Sequence, residues 1–274
     1  MRIRATVAAV SGALALTALA VPAAQAVTDS GAPYTLNASF SHLSIAKATK
    51  VGTKEVSVKY SYTLTHGTNV NIAAKDFYTD AFLYHGTYSD SAPELYGDDP
   101  ATCTATSSTT ATCTGSVNIY PHDDLKNAWA GSWGVAAEAV AFNGQDPNNP
   151  DMSKVGFKDQ SGITTSLVQR NPALTADATP EPVKKGATIT VTGKLTRCDW
   201  EHLTYNPFGG QPVKLQFRKA GTSTYTTMKT ITTSSTGTLK TTVTAGSDGY
   251  YRYSFAGVTT TPAVSSAGDY VDVQ

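Results

Sequence analysis

The residues that could perform catalysis are spread along the chain and form no recognisable motif. Ser132 lies in Gly131-Ser132-Trp133-Gly134, which misses the nucleophile-elbow pattern by one residue, and no glycine-rich phosphate loop occurs. His122 precedes Asp123 and Asp124, but neighbours along a chain seldom face one reacting atom, so we interpret them as helix-start residues. The five histidines show no metal-ligand spacing; they are His42, His66, His85, His122 and His202. The sequence therefore predicts a protein that is not an enzyme, with a hydrolase as the weakest alternative.

Two of the three cysteines are spaced for a disulfide. Cys103 and Cys113 enclose nine residues and lie on the threonine-rich arms of a predicted hairpin. In an exported protein this arrangement favours a disulfide over a metal-binding pair. We expect Cys198 to be a buried thiol because Trp200 and other aromatic residues follow it, and a bond between two chains is the alternative.

Three acidic clusters could bind a cation: Asp98-Asp99, Asp123-Asp124, and the turn between Asp146 and Asp151. An EF-hand loop needs oxygen ligands at alternating positions followed by glycine, and Pro150 breaks that pattern. We interpret the clusters as solvated turns, and therefore assign no metal ligand and no cofactor. Calcium at the rim of a sandwich is the alternative that the acidic turns leave open.

Residues 197–210 form the least regular stretch of the second half, and Trp200, Tyr205 and Phe208 are its aromatic residues. As a loop on a rigid scaffold the stretch could bind a sugar or a protein, because exposed aromatic rings suit both partners. Alternatively, it could cap its own core. Strand order in a sandwich places it beside the first domain, so we expect the three aromatic side chains to pack there.

The first 26 residues have the order of a secretory signal peptide. Arg2 and Arg4 precede an apolar run, and Ala24-Gln25-Ala26 is a cleavage site, so the mature chain should begin at Val27. Without the two arginines, 19 basic side chains face 21 acidic ones, and a net charge near −2 argues against nucleic acid. No later apolar run is long enough to span a bilayer, which predicts a secreted, extracellular protein.

Alternating apolar residues predict short strands throughout the mature chain. After a short polar leader, residues 53–65 place alternate apolar side chains on one face, and residues 131–141 do the same. Residues 77–88 are expected to form a strand although their apolar residues alternate poorly. A single helical turn is predicted at residues 121–129, and the strand at 162–170 closes the first domain.

The strand within residues 247–257 is the one around which the second domain is organised. Gly249, Tyr251, Tyr253 and Phe255 share one face, and an Asp-Gly turn opens the strand. Tyr251 is placed for a tyrosine corner, with its ring in the core and its hydroxyl bonded to nearby backbone. Seven strands follow from residues 174–179, 186–196, 212–218, 224–232, 238–245, 249–255 and 269–273. Short strands separated by turn signals favour an immunoglobulin-like sandwich over a closed barrel.

The second domain resembles a module of secreted actinobacterial proteins. The resemblance covers residues 172–274 and rests on four segments taken together. These are Thr192-Gly193-Lys194-Leu195-Thr196, Gln211-Pro212-Val213-Lys214-Leu215-Gln216-Phe217-Arg218, Ser247-Asp248-Gly249-Tyr250-Tyr251-Arg252 and Gly268-Asp269-Tyr270-Val271-Asp272-Val273. The family it resembles is largely uncharacterised. The resemblance implies an immunoglobulin-like fold and export, and assigns no catalytic residue.

The sequence thus predicts an all-β protein of two tandem immunoglobulin-like β-sandwich domains after a cleaved signal peptide. The predicted ranges are 1–26 for the signal peptide, 27–170 for the first domain and 171–274 for the second. Because catalytic groups are absent, we expect a secreted, non-catalytic binding or structural protein. Its partner would be an extracellular protein, a cell-wall polymer or a second copy of itself, and the oligomeric state is left open. A secreted calcium-binding or small-ligand-binding protein is the alternative.

Overall fold

The computed structural model describes residues 31–274, and the predicted signal peptide at residues 1–26 lies outside them. This part of the chain divides into two compact units that are interleaved in sequence. Unit 1 contains residues 31–47, 56–119 and 132–166, and unit 2 contains residues 48–55, 120–131 and 167–274. Among the residues described, no helix is both long enough and apolar enough to cross a bilayer.

Strands dominate both units. The helical elements are α1 (Pro121–Asp124) and two 3-10 turns, Asn127–Trp129 and Met152–Lys154. The strands are β1 (Tyr34–Thr35), β2 (Ala38–Ile45), β3 (Ala48–Val51), β4 (Val56–His66), β5 (Phe77–Tyr84), β6 (Glu94–Leu95), β7 (Thr102–Ala105), β8 (Thr110–Ile119), β9 (Gly131–Ala141), β10 (Gly156–Arg170), β11 (Pro172–Leu174), β12 (Asp177–Thr179), β13 (Thr188–Asp199), β14 (Thr204–Pro207), β15 (Pro212–Lys219), β16 (Thr226–Thr232), β17 (Thr238–Thr244), β18 (Gly249–Phe255), β19 (Val264–Ser265) and β20 (Asp269–Val271).

Unit 1 is a sandwich of two sheets. One sheet has the order β2-β4-β8-β7, and the other has the order β1-β10-β9-β5-β6. This is the immunoglobulin order. In that scheme β2, β4, β8 and β7 are the first, second, fifth and fourth strands, and they face β10, β9 and β5, which are the seventh, sixth and third. The alternation of apolar and polar residues in β4 determines which face of this strand is buried. Val58, Tyr60, Tyr62 and Leu64 lie between the sheets, while Lys59 is exposed.

The uneven apolar pattern of β5 has a structural cause. Ala81 and Leu83 are buried together with Phe82 and Tyr84, which alternate with them and lie on the opposite face of the strand. Phe82 stacks on Tyr96 with ring centroids 4.3 Å apart, in a cluster that also contains Tyr84 and Ala136. Because the connection after β5 covers its outer face, this strand is buried on both sides. Its sequence therefore shows no alternation of apolar and polar residues.

Unit 2 is a second sandwich with its own core. In one sheet β13 lies between β11 and β12 on one side and β14 and β17 on the other. The facing sheet has the order β16-β15-β18, and β18 continues to β19 and β20. The predicted strand at residues 249–255 is therefore an inner strand, and its apolar face joins the core cluster of this unit.

Several local predictions were wrong or incomplete. The predicted polar leader contains β1, β2 and β3, and the strand predicted at residues 174–179 is divided into β11 and β12. The strand predicted at residues 162–170 begins earlier, at Gly156. Tyr251 is buried as expected, but Tyr253 is the tyrosine whose hydroxyl bonds to backbone, donating to the Val191 carbonyl at 2.8 Å. That bond joins the two sheets, because Val191 lies on β13.

The predicted disulfide is confirmed. Cys103 and Cys113 lie opposite each other on β7 and β8, and their sulfurs are bonded. Cys198 is a buried free thiol, as expected. Burial raises the pKa of the Cys198 thiol to about 11, so this cysteine stays protonated at neutral pH and is a poor nucleophile.

Candidate binding loop of unit 2

The stretch at residues 197–210 is a hairpin built on the end of β13. Cys198 pairs with Tyr205 and Asp199 pairs with Thr204, so residues 200–203 form the connection between β13 and β14. β14 is exposed along its whole length, whereas the end of β13 is buried. The hairpin therefore presents an exposed tip, residues 201–205, on a buried base.

Asp199 holds the tip in place. One carboxylate oxygen accepts hydrogen bonds from the backbone N–H groups of Glu201 and His202, at 3.0 and 3.2 Å. The other oxygen accepts from Asn206 Nδ2 at 2.7 Å and lies 3.1 Å from His202 Nδ1. A hydrogen bond from Asn127, followed by those from His202, keeps the pKa of Asp199 below its ordinary value despite burial. The ionised carboxylate thus fixes the turn that follows it.

Asn127 connects the tip to the short helical segment of unit 2. Its Nδ2 donates to Asp199 Oδ1 at 2.7 Å and to Glu201 Oε2 at 2.6 Å, while its Oδ1 accepts from the Trp200 backbone N–H. His122 on α1 lies near the Glu201 carbonyl, with 3.1 Å between Nδ1 and the oxygen. The predicted helical turn therefore serves as a support for the loop, and His122 has a structural partner there.

The three aromatic residues singled out from the sequence have different environments. Trp200 is fully buried, and its indole N–H donates to the Val51 carbonyl at 2.9 Å. Phe208 is 8% exposed and packs edge-on against Phe255 in the core of unit 2. Tyr205 is 38% exposed, and its hydroxyl accepts a hydrogen bond from Asn171. Only Tyr205 of the three presents substantial surface.

The base of the loop contains a buried cation. Arg170 donates from Nε to the Cys198 carbonyl at 2.6 Å and is 8% exposed. Burial lowers the pKa of Arg170, and the nearby Asp199 carboxylate opposes that shift. Arg197 stacks over the Phe208 ring at 4.0 Å. These contacts use the charged groups of the loop base for structure.

The acidic turns are occupied by local hydrogen bonds. Asp146 Oδ1 accepts from the Asn148 backbone N–H at 2.9 Å, and Asp151 Oδ1 accepts from the Ser153 hydroxyl at 2.6 Å. Within residues 31–274, no three His, Cys, Asp or Glu side chains come close enough together to hold a metal ion. The arrangement is typical of turns built on Asp and Asn side chains.

The strand order of both units defines the class: an all-β protein of tandem immunoglobulin-like β-sandwiches. No family model matches the chain, and no curated protein matches it. Among solved structures, it is similar to the mouse nectin-like molecule 4 ectodomain at 15% identity, covering 88% of this chain and 65% of that one, with a TM-score of 0.26.

Two further solved structures are also similar. The Escherichia coli adhesin FdeC matches at 16% identity over 88% of this chain and 66% of that one, with a TM-score of 0.32. The D0-D1 domain of intimin matches at 17% identity over 85% of this chain and 97% of that one, with a TM-score of 0.26. This chain therefore spans just under two thirds of the nectin-like and FdeC chains.

Proposed function

We propose that this chain is an exported, non-catalytic binding protein that contacts another extracellular protein through the loop tip, defined as residues 201–205. The proposal combines a fixed loop base with an exposed tip. Asp199, Asn127 and Trp200 fix the base by hydrogen bonds and burial. A recognition loop held in one conformation loses little conformational entropy when it binds.

The observation that carries the proposal is the conformation of Leu203. This residue has φ of +51° in the left-handed region and is 41% exposed. The left-handed conformation costs a residue with a Cβ atom roughly 1 kcal/mol relative to glycine. The Leu203 side chain is not buried in this chain, so its burial does not offset the cost of the left-handed backbone. Contact of this side chain with a partner would explain why a large apolar residue occupies the position.

The chemistry of the tip favours a protein partner. Leu203 and Tyr205 supply apolar surface, and the exposed side chains of Glu201 and His202 flank them. An apolar centre with a polar rim is the usual composition of a protein–protein interface. Export is supported by the charged, apolar and small-residue order of residues 1–26, and sequencing the amino terminus of the released protein should give Val27.

Replacing Leu203 by glycine tests the loop tip. Leu203→Gly removes the side chain and relieves the left-handed backbone, so the melting temperature should stay the same or rise while binding is lost. Met228→Ala is the matched control because Met228 is 42% exposed in the same unit. The measurement is capture of partners from culture supernatant and from isolated cell walls.

The wild-type and Met228→Ala chains should retain the same protein, and the Leu203→Gly chain should not. Equal retention by all three chains would show that the tip is not the contact surface. Retention of no protein by the wild-type chain would contradict the proposed function itself.

A pocket in unit 1 favours small-ligand binding as a second candidate function. Its volume is about 220 Å³, and Asp76, Asn69, Asn71, Asn143 and Tyr34 are among the residues that line it. Calcium takes carboxylate and amide oxygens as ligands, and Asp76 supplies the one carboxylate of this lining. Millimolar calcium should then raise the melting temperature, magnesium should not, and Asp76→Asn should abolish the shift. An unchanged melting temperature would exclude calcium.

A further inference from the structure

A row of alternating aromatic and cationic side chains crosses the outer face of the β16-β15-β18-β20 sheet. The Arg252 guanidinium lies 3.7 Å from the centroid of the Tyr225 ring, and Arg218 lies 5.4 Å from the same ring. Arg218 also stacks over Tyr250 at 4.0 Å, and the Tyr250 and Tyr270 rings are 5.1 Å apart. We call these five residues the cationic row.

Strand register assembles the cationic row from distant parts of the sequence. Arg218 on β15 pairs with Tyr250 on β18, which in turn pairs with Tyr270 on β20. Two residues along β18, Arg252 pairs with Gln216. Because side chains alternate along a strand, all of these lie on the face opposite the buried residues of the core. The row is therefore part of a rigid sheet and needs no rearrangement to bind a ligand.

The arginines of the cationic row have unused hydrogen-bonding capacity. Arg252 donates from Nε to Gln216 Oε1 at 2.8 Å, and Arg218 donates from Nη1 to the Thr222 carbonyl. Neither guanidinium forms an ion pair with a carboxylate among the residues that the structure describes. A guanidinium has five N–H donors, and stacking on an aromatic ring fixes its plane without using them.

This face carries three cations, Arg218, Arg252 and Lys214, although the mature chain is slightly acidic. Lys214 lies on the same face of β15 as Arg218 and is exposed. Partial desolvation, and then the carboxylates of Asp248 and Asp272, raise the pKa of the Tyr270 hydroxyl, so those acids mark one end of the row. Three cations beside partly exposed tyrosine rings are complementary to an anionic ligand.

We propose that the cationic row binds an acidic polysaccharide, with its carboxylates on Arg218 and Arg252 and its sugar rings against Tyr250 and Tyr270. Guanidinium groups bind carboxylates bidentately, and aromatic rings offer flat apolar surface beside a polar hydroxyl. Single-stranded DNA also combines anionic groups with flat rings, and the test below separates it from an acidic polysaccharide. An extended peptide would use the edge of a sheet, whereas this row lies on a face.

The test measures binding of the chain to immobilised polygalacturonate. Binding should weaken as salt is raised, and methyl-esterified polygalacturonate, which has the same rings without the charges, should not bind. Arg218→Gln with Arg252→Gln should lower the affinity by about tenfold or more. The matched control is Lys194→Gln with Lys240→Gln, which removes two exposed charges from the other sheet of unit 2.

Three outcomes would overturn the proposal. One is an equal loss of affinity in the matched control, which would indicate net charge alone. Another is binding of poly-glutamate or single-stranded DNA as tightly as polygalacturonate. The third is unchanged affinity in Tyr250→Leu, which should lose about threefold to tenfold if the ring contacts a sugar. Leu203→Gly should bind polygalacturonate like the wild type, which separates this site from the loop tip.

Discussion

The sixth strands of the two sandwiches, β9 in unit 1 and β18 in unit 2, have the same place in the fold but different outer faces. Both bury alternate residues between their sheets, with Trp133 and Val135 in β9 and Tyr251 and Tyr253 in β18. On the outer face of β9, Ala136 is fully buried, whereas Arg252 on the outer face of β18 is partly exposed.

The difference arises from the connection that follows the third strand of each sandwich, which is β5 in unit 1 and β15 in unit 2. In unit 1 this connection carries Tyr88 and Tyr96, which pack on Phe82 and Tyr84 and cover the sheet. In unit 2 the corresponding connection contributes Tyr225, which stacks on arginines and leaves the face accessible. One topology thus gives a covered sheet face in one unit and an accessible sheet face in the other.

The largest expected effect comes from truncating one aromatic residue on each outer face. Phe82→Ala removes a fully buried ring and should lower the free energy of unfolding of unit 1 by about 3–5 kcal/mol. Tyr250→Ala should cost unit 2 less than about 1 kcal/mol, because its ring is only partly buried. Native-state hydrogen exchange measures each unit separately. Equal losses would contradict the contrast between the two faces.

Removing the disulfide should affect unit 1 alone. The double variant Cys103→Ala with Cys113→Ala removes the crosslink that restricts the unfolded chain. The free energy of unfolding of unit 1 should therefore fall by about 3 kcal/mol, the value for a loop of this size. Unit 2 contains the free thiol Cys198 and should keep its exchange rates. A reducing agent applied to the wild type should reproduce the effect, and a parallel loss in unit 2 would refute it.

The hydroxyl groups of β18 provide a smaller and sharper test. Tyr253→Phe removes the donor to the Val191 carbonyl, and should cost about 1 kcal/mol because a buried acceptor is left without a partner. Tyr251→Phe is the matched control, with its ring equally buried on the same strand. If chemical denaturation gives the same free energy for both variants, the bond between the sheets contributes nothing measurable.

The smallest effect is a change in acid stability at the loop base. Because the folded pKa of Asp199 is depressed, its contribution is present above the unfolded value of about 3.9 and is lost as pH falls below it. Asp199→Asn should therefore reduce the drop in melting temperature of unit 2 between about pH 4 and pH 2. Asp177→Asn, at an exposed position of the same unit, should leave that drop unchanged.

Regular alternation made much of the fold predictable, and its interruptions explain the misses. β4 and β18 were predicted because one face is apolar and the other polar. β2 was missed because His42 has φ of +52° and the pairing with β4 shifts between Ser41 and Ser44. That irregularity interrupts the period-two pattern on which the prediction relies.

The candidate sites were predictable only in part, because they combine residues far apart in sequence. The aromatic loop was singled out, but its support by Asn127 joins residues 72 positions apart, and no local pattern encodes that contact. Likewise, the alternation of Tyr250 and Arg252 is visible in the sequence, whereas the stacking on Tyr225 depends on strand pairing. Tertiary contacts of this kind require the register of the sheets.

The irregular pairing of β16 has a consequence for the behaviour of the protein at high concentration. This strand forms one edge of its sheet, and six of its seven residues are exposed. Such an edge could recruit a strand from another copy and begin aggregation. The register shift opposite Leu215 and Gln216 distorts the edge, and Lys229 places a charge at its centre. Both features oppose edge-to-edge association, so the cationic row can be displayed without the sheet extending into a fibre.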